Sequence, residues 1–206
     1  MNHLYEQLTA LKLTGFRDAL KKQLAQPGTY QELGFEERLS LLTAEELTCR
    51  ENRKAERLIK HARFRLNAEL SKLDYRNNRG LDRALIRSLS QGNWLTLKQN
   101  ILLTGATGSG KTFLACALGH NACRQGYKVY YYRLKALMEQ CYQGHADGRY
   151  SKLLTRLNNS DLLLLDDWGL EPLSSEQRSD LLEIVDLMYQ RGSIIVVSQL
   201  PVENWY

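Results

Sequence analysis

The sequence predicts a three-layer α/β domain of the P-loop type, built on a parallel sheet, over about residues 76–206. A small all-helical domain over 1–75 precedes it. Three observations carry this. Residues 100–112 read N-I-L-L-T-G-A-T-G-S-G-K-T. Residues 161–167 read D-L-L-L-L-D-D. Around these two stretches, short β-rich runs alternate with helix-like ones, the pattern of a parallel sheet, whereas nothing before Asp74 has strand character.

The first stretch opens with Ile101, Leu102 and Leu103, an apolar run fit for a buried strand. Gly105, Gly110, Lys111 and Thr112 then match G-x-x-x-x-G-K-[ST], the phosphate-binding P-loop. Glycines let backbone N–H groups turn inward around a polyphosphate. The expected cradle is Gly105, Ala106, Thr107, Gly108, Ser109 and Gly110, followed by Lys111, Thr112 and Phe113. Lys111 would reach the β- and γ-phosphates and the Thr112 hydroxyl would hold Mg²⁺. Residues 113–123 have helical character, so the anion would also sit on a helix N-terminus.

In chain order, 2–26 reads as one helix, with leucines at three- and four-residue steps, broken at Pro27-Gly28. A second helix starts near Phe35 and continues through 44–66. Arg79-Gly80 and 91–93 look like turns around a short helix over 81–89. Gln125-Gly126 stops the P-loop helix. Residues 127–133, Y-K-V-Y-Y-Y-R, form a second strand; a stacking platform is the less favoured reading of these tyrosines. Residues 134–143 are helical, 144–148 a loop and 151–157 a short helix.

The leucines of 162–165 form a buried strand that carries Asp166 to its C-terminal end, where open α/β sheets place ligands. This is the Walker B pattern: Asp166 for Mg²⁺, Asp167 facing the attacking water. Alone the motif is weak; about fifty-five residues after a P-loop it is strong. An amphipathic helix over 176–190 follows, capped by Ser174 or Ser175 and ended by Arg191-Gly192. A fourth strand, 193–197, ends in Ser198-Gln199. A polar group there can sense the γ-phosphate or orient water; a plain strand-end loop is the alternative. The chain stops at Trp205-Tyr206 with no fifth strand or helical lid after it, which reads as a truncated chain.

Composition narrows the class. There are 206 residues with 43% hydrophobic content and net charge +5. No apolar run reaches membrane-span length, and the N-terminus has no secretory pattern. Cys49, Cys116, Cys123 and Cys141 show no C-x-x-C spacing, so reduced cysteines in the cytoplasm are expected. The four histidines show no metal-site spacing. Between Arg50 and Arg87 lie twelve Lys/Arg and five acids, an excess of seven, which leaves −2 for the rest. A solvated helix face and a phosphate-neutralising surface both fit this; the clustering favours nucleic acid. Aromatics are sparse there, which points to the duplex backbone rather than base stacking.

The P-loop, L-L-L-L-D-D-W-G-L at 162–170 and S-Q-L-P-V at 198–202 together resemble the IstB-like insertion-sequence ATP-binding proteins, transposition helper ATPases of the AAA+ group related to DnaC-type helicase loaders. L-K-L-T-G-F at 11–16, F-E-E-R-L at 35–39, E-N-R-K at 51–54 and R-G-L-D-R at 79–83 fit the same family in order, so the resemblance covers nearly the whole chain. It implies an AAA+ fold and an oligomer that binds ATP and duplex DNA to assist a transposase, with nucleotide as an assembly signal. By position, Lys111 and Thr112 carry over as the P-loop pair, Asp166 as the Mg²⁺ residue, Asp167 as the water-activating acid and Gln199, with Ser198, as the first sensor. The segment 134–158, with Lys135, Arg149, Lys152 and Arg156, resembles the extra helices that initiator-type members use on DNA. Asp167 stands where many AAA+ ATPases have Glu, one methylene longer, which implies slow turnover. The family's arginine finger would lie beyond Tyr206.

Motif matching alone keeps a helicase loader as the alternative. A small-molecule kinase would leave the basic helical arm unexplained. A DNA-architecture module with a vestigial site conflicts with intact Lys111, Thr112 and Asp166.

Overall fold

A computed structural model describes residues 2–75 and 81–205. Arg76, the expected Arg79-Gly80 turn and Tyr206 lie outside the described residues. The chain divides into two compact units, Met1–Glu56 and Arg57–Tyr206, a boundary earlier than the expected 75/76.

The first unit is helical: α1 (Asn2–Ala10), α2 (Thr14–Ala25), the single turn α3 (Pro27–Tyr30) and α4 (Phe35–Ala62), which runs across the boundary. The single helix expected over 2–26 is two. Lys12 takes a left-handed conformation (φ 58°) and α2 restarts at Thr14. The cause is a capping carboxylate that comes from α4. Glu46, only 5% exposed, accepts hydrogen bonds from the N–H groups of Gly15 (2.8 Å) and Phe16 (3.1 Å) in the first turn of α2. Arg50 Nε donates to its other oxygen at 2.7 Å. A Cβ at Gly15 would stand 2.7 Å from Cys49 Cβ and 2.9 Å from the Glu45 carbonyl oxygen, so only glycine lets the helices approach this closely.

Burial alone would raise the Glu46 pKa, but the bonds from Arg50 and from the Phe16 and Gly15 N–H groups together hold it below the ordinary carboxylate value. A depressed folded pKa gives stability that is present above the unfolded value and lost as pH falls through the folded one. Glu46→Ala is therefore expected to lower stability by about 2–4 kcal/mol, since two backbone donors lose their acceptor and Arg50 its partner. In far-UV circular dichroism the variant should melt earlier at neutral pH and show less of the acid-induced helix loss expected of the parent. Equal melting of the two proteins would contradict the capping role.

The second unit contains α5 (Arg83–Ser90), α6 (Asn93–Thr96), β1 (Ile101–Thr104), α7 (Lys111–Arg124), β2 (Val129–Arg133), α8 (Leu134–Asp147), α9 (Tyr150–Asn158), β3 (Leu162–Trp168), α10 (Ser175–Met188) and β4 (Ser193–Ser198). The four strands form one parallel sheet in the order β1-β4-β3-β2. Both faces of its centre are buried, and strand alternation sorts the side chains. Leu162, Leu164, Ile195 and Val197 join α7, α5, α6 and residues 58–75 on one face. Leu163, Leu165, Ile194 and Val196 join α8, α9 and α10 on the other. This is the three-layer arrangement that continuous apolar strands require.

Two local expectations are corrected, and a third is narrowed to one residue. The helix expected over 44–66 ends at Ala62, where Arg63 turns left-handed (φ 56°). The segment 144–148 is not a loop: α8 continues to Asp147. Gly144 sits inside α8 because a Cβ there would lie 3.0 Å from the Tyr150 backbone; it allows close helix packing, and Gly148 ends the helix (φ 75°). The expected cap of α10 is Ser174, whose hydroxyl accepts from Gln177 N while Gln177 reaches back to the Ser174 N–H, a capping box.

Candidate nucleotide site

Parallel register brings four strand ends to one edge of the sheet. Thr104 pairs with Ser198, Arg133 with Asp166 and Trp168 with Ser198. Between Leu165 and Trp168, β3 carries one residue more than β4 opposite it, and this irregularity contains Asp166 and Asp167. Such a bulge re-aims side chains. Asp167 is left-handed (φ 59°), a conformation that Asp and Asn tolerate through their short polar side chains. That conformation favours Asp over a longer acid at this position.

The P-loop leaves β1 and enters α7 through Gly105, Gly108 and Gly110, all at positive φ. Gly110 is the left-handed N-cap of α7 and supplies no side-chain cap, so first-turn N–H groups stay available to an anion. Lys111 Nζ donates to the carbonyls of Gly105 and Ala106, both at 2.7 Å, and to Ser109 Oγ at 3.3 Å. The amine is thus folded over the loop that would cradle phosphate. Thr112 Oγ1 donates to Asp166, 3.0 Å from Oδ2 and 3.3 Å from Oδ1, which ties the P-loop helix to β3.

Asp166 is 1% exposed. Its oxygens also accept from Tyr131 OH (2.7 Å) and from the Asp167 N–H (2.8 Å). Burial, then the bond to Asp166, pushes the Tyr131 pKa up, which keeps the phenol a donor. Asp167 faces two guanidiniums through one oxygen: Arg133 Nε bonds Oδ2 at 2.7 Å and Arg65 Nη1 lies 3.8 Å from it. The bond to Asp167 raises the Arg133 pKa.

Arg65, Lys111, Thr112, Arg133, Asp166 and Asp167 line one cavity of about 510 Å³, shared by Thr107, Gly108, Gly110, Phe113, Leu170 and Gln199 among others, a size that fits a nucleotide-sized ligand. The sequence-derived set is thereby brought together: Lys111, Thr112, Asp166 and Asp167 meet in the cavity, and Phe113 lines it. Gln199 reaches the P-loop itself, where its Oε1 accepts from Thr107 Oγ1. Ser198 is buried, and its hydroxyl is committed elsewhere. It donates to the Trp168 carbonyl (2.9 Å) and accepts from Leu200 N (3.0 Å) and the Trp205 indole (3.1 Å). It braces the end of β4 against the end of β3. A Thr hydroxyl and a buried carboxylate 3.0 Å apart form a hard-oxygen pair suited to Mg²⁺.

Sequence reasoning missed Tyr131, Arg133 and Arg65 as site residues. Arg133 was findable: it ends β2 at the edge where β3 delivers Asp166, and Tyr131 shares its strand parity. Arg65 carried no signal beyond membership of a basic run. The buried thiols take no part: burial pushes Cys116 up, and Cys123 and Cys141 to about 12, so they remain protonated. No helix among the described residues is long and apolar enough to cross a membrane.

Comparison with known proteins agrees with this geometry. An insertion sequence IS1162 ATP-binding protein of Pseudomonas fluorescens is 46% identical over 200 residues, 97% of this chain and 86% of that protein. An insertion sequence ATP-binding protein of Sinorhizobium fredii is 42% identical over 98% of this chain and 82% of its own length. Among solved structures, the DnaC helicase loader superposes with a TM-score of 0.57 at 28% identity, over 66% of this chain and 78% of that one. The sheet and P-loop are thus of the AAA+ type. The family model described as IstB-like ATP binding protein matches residues 6–206, and the chain belongs to that ATP-binding family.

Proposed function

We propose that this chain is an ATP-dependent DNA-binding regulator that assists a transposase, using ATP binding and slow hydrolysis as an oligomerisation switch. The observation that carries the nucleotide half is the Thr112–Asp166 contact, which joins the P-loop to the Walker B strand within one cavity. The names of the relatives, insertion sequence ATP-binding proteins, support the transposition half. A cytoplasmic location goes with this role.

In this reading Lys111 exchanges its loop carbonyls for the β- and γ-phosphate oxygens, and the N–H groups opening α7 receive the remaining charge. Thr112 and Asp166 would hold Mg²⁺, which when bound neutralises charge on the phosphates. Tyr131 and the Asp167 N–H fix the Asp166 carboxylate so that it keeps one orientation. Asp167 would take the proton of the attacking water, and Gln199 would report the terminal phosphate to the end of β4. Because Asp167 is held by Arg133 at 2.7 Å, it must leave that bond to act as a base. Slow turnover follows, and brisk hydrolysis without DNA or transposase would contradict it.

DNA contacts are proposed for the basic segment 50–87 and, separately, for the groove between α8 and α9. That groove is lined by Arg149, Lys152 and Arg156 together with Gln140, Gln143 and Asp147. Not all of the basic segment is available: Arg50 is engaged by Glu46, Lys72 by Glu69 and Arg65 by Asp167. Duplex affinity is expected to fall with salt at a log–log slope of about −0.9 per phosphate neutralised. A flat salt response in a filter-binding titration would remove these cations from the DNA contact.

The likeness to the DnaC helicase loader at 28% identity keeps a second reading, a helicase-loader ATPase. The two differ in partner. Pull-down of the ATP-loaded protein against a transposase and a replicative helicase is expected to retain the transposase; retention of the helicase alone would favour the second reading.

A further inference from the structure

We propose that Arg65 makes this site respond to a nucleoside triphosphate and not to a diphosphate, by leaving Asp167 for the terminal phosphate. The inference rests on the nucleotide reading of the cavity. It goes beyond that reading by naming a residue outside both sequence motifs.

Arg65 stands three residues past Ala62, the last residue of α4. The backbone around it is anchored. Phe64 packs its ring on His120 with centroids 4.4 Å apart. A Cβ on Gly119 would stand 2.5 Å from the same ring, so Phe64 is seated against the α7 backbone. Ala68 is fully buried. The Arg65 guanidinium, by contrast, is half-exposed, and Arg65 and Leu66 line the same cavity as Lys111 and Thr112. An anchored backbone thus presents a half-exposed cation to the phosphate region.

The two guanidiniums on Asp167 are held unequally. Arg133 has a hydrogen bond at 2.7 Å, whereas Arg65 sits at 3.8 Å, an ion pair beyond hydrogen-bond reach. Both address Oδ2, so Arg65 is the second cation on one oxygen and the easier to detach. A γ-phosphate offers more negative charge than a carboxylate already shared with Arg133, and its oxygens match the planar fork of a guanidinium. A diphosphate ends one phosphoryl group short, and Arg65 then stays on Asp167. Departure of Arg65 also removes one of the two cations that restrain Asp167. The triphosphate would thereby loosen the acid it needs.

The test is nucleotide affinity with Mg²⁺, using a fluorescent non-hydrolysable ATP analogue and the matching ADP, in the parent, Arg65→Ala, Arg65→Lys and Lys111→Ala. Arg65→Ala is expected to lose about tenfold in affinity for the triphosphate, the size of one charge-assisted contact, with the diphosphate essentially unchanged. Arg65→Lys should recover part of the difference, because it keeps the charge without the fork. A merely structural role would move both nucleotides together. Equal weakening of both, or no change in either, overturns the proposal while Lys111→Ala still weakens both. If Lys111→Ala binds both nucleotides like the parent, the cavity is not the nucleotide site, and the proposal falls with that reading.

Discussion

Asp167→Asn is expected to lower the rate of ATP hydrolysis by about 10²–10⁴-fold, the range for loss of a general base. ATP binding should stay near its parental strength. The choice of Asn follows from the backbone: residue 167 is left-handed (φ 59°), and Asn tolerates that conformation as Asp does, so the bulge in β3 should survive. The amide has nearly the shape of the carboxylate but cannot accept the proton of water. It also frees Arg133 and Arg65 from their ion pairs, which does nothing to weaken a site that binds anions. Single-turnover phosphate release measured beside equilibrium nucleotide binding separates the two effects. Parental hydrolysis in Asp167→Asn would remove Asp167 from the chemistry and shift attention to water positioned by Gln199.

Lys111→Ala is expected to reduce ATP affinity by about 10²-fold, as the loss of two charge-assisted contacts implies. The ammonium already sits where phosphate would be received, on two loop carbonyls at 2.7 Å and Ser109 Oγ. Its donors can therefore transfer to a ligand without rearranging the loop. Its removal leaves the backbone N–H groups of the loop, so binding is weakened and not abolished. Isothermal titration calorimetry with ATP and Mg²⁺ reads the effect directly. An affinity within a few-fold of the parent would show that the P-loop is not the main anchor.

Much of the fold was legible because sheet and motifs obey local rules. The leucines of 162–165 and the run 194–197 are apolar without alternation, which only a sheet buried on both faces requires. The P-loop glycines announce positive φ, found at Gly105, Gly108 and Gly110. The Ser174 cap is written four residues at a time, Ser to Gln177. What escaped is non-local. The break at 11–13 depends on a carboxylate more than thirty residues away, at Glu46. Gly144 reads as a loop residue until α9 is known to pass against it. The expected set Lys111, Thr112, Asp166 and Asp167 is local to two motifs, and the structure does bring these residues together. Arg65 and Arg133 reach Asp167 from other segments, so no spacing rule joins them to it.

The central claim is that ATP gates DNA binding. Its most direct test is fluorescence anisotropy of a labelled duplex with ATP, with ADP and with neither, in the parent and in Lys111→Ala. Tight binding is expected with ATP alone, with loss of that enhancement in the variant. Equal duplex binding in all three nucleotide states would contradict it and leave the basic surface as a passive tether.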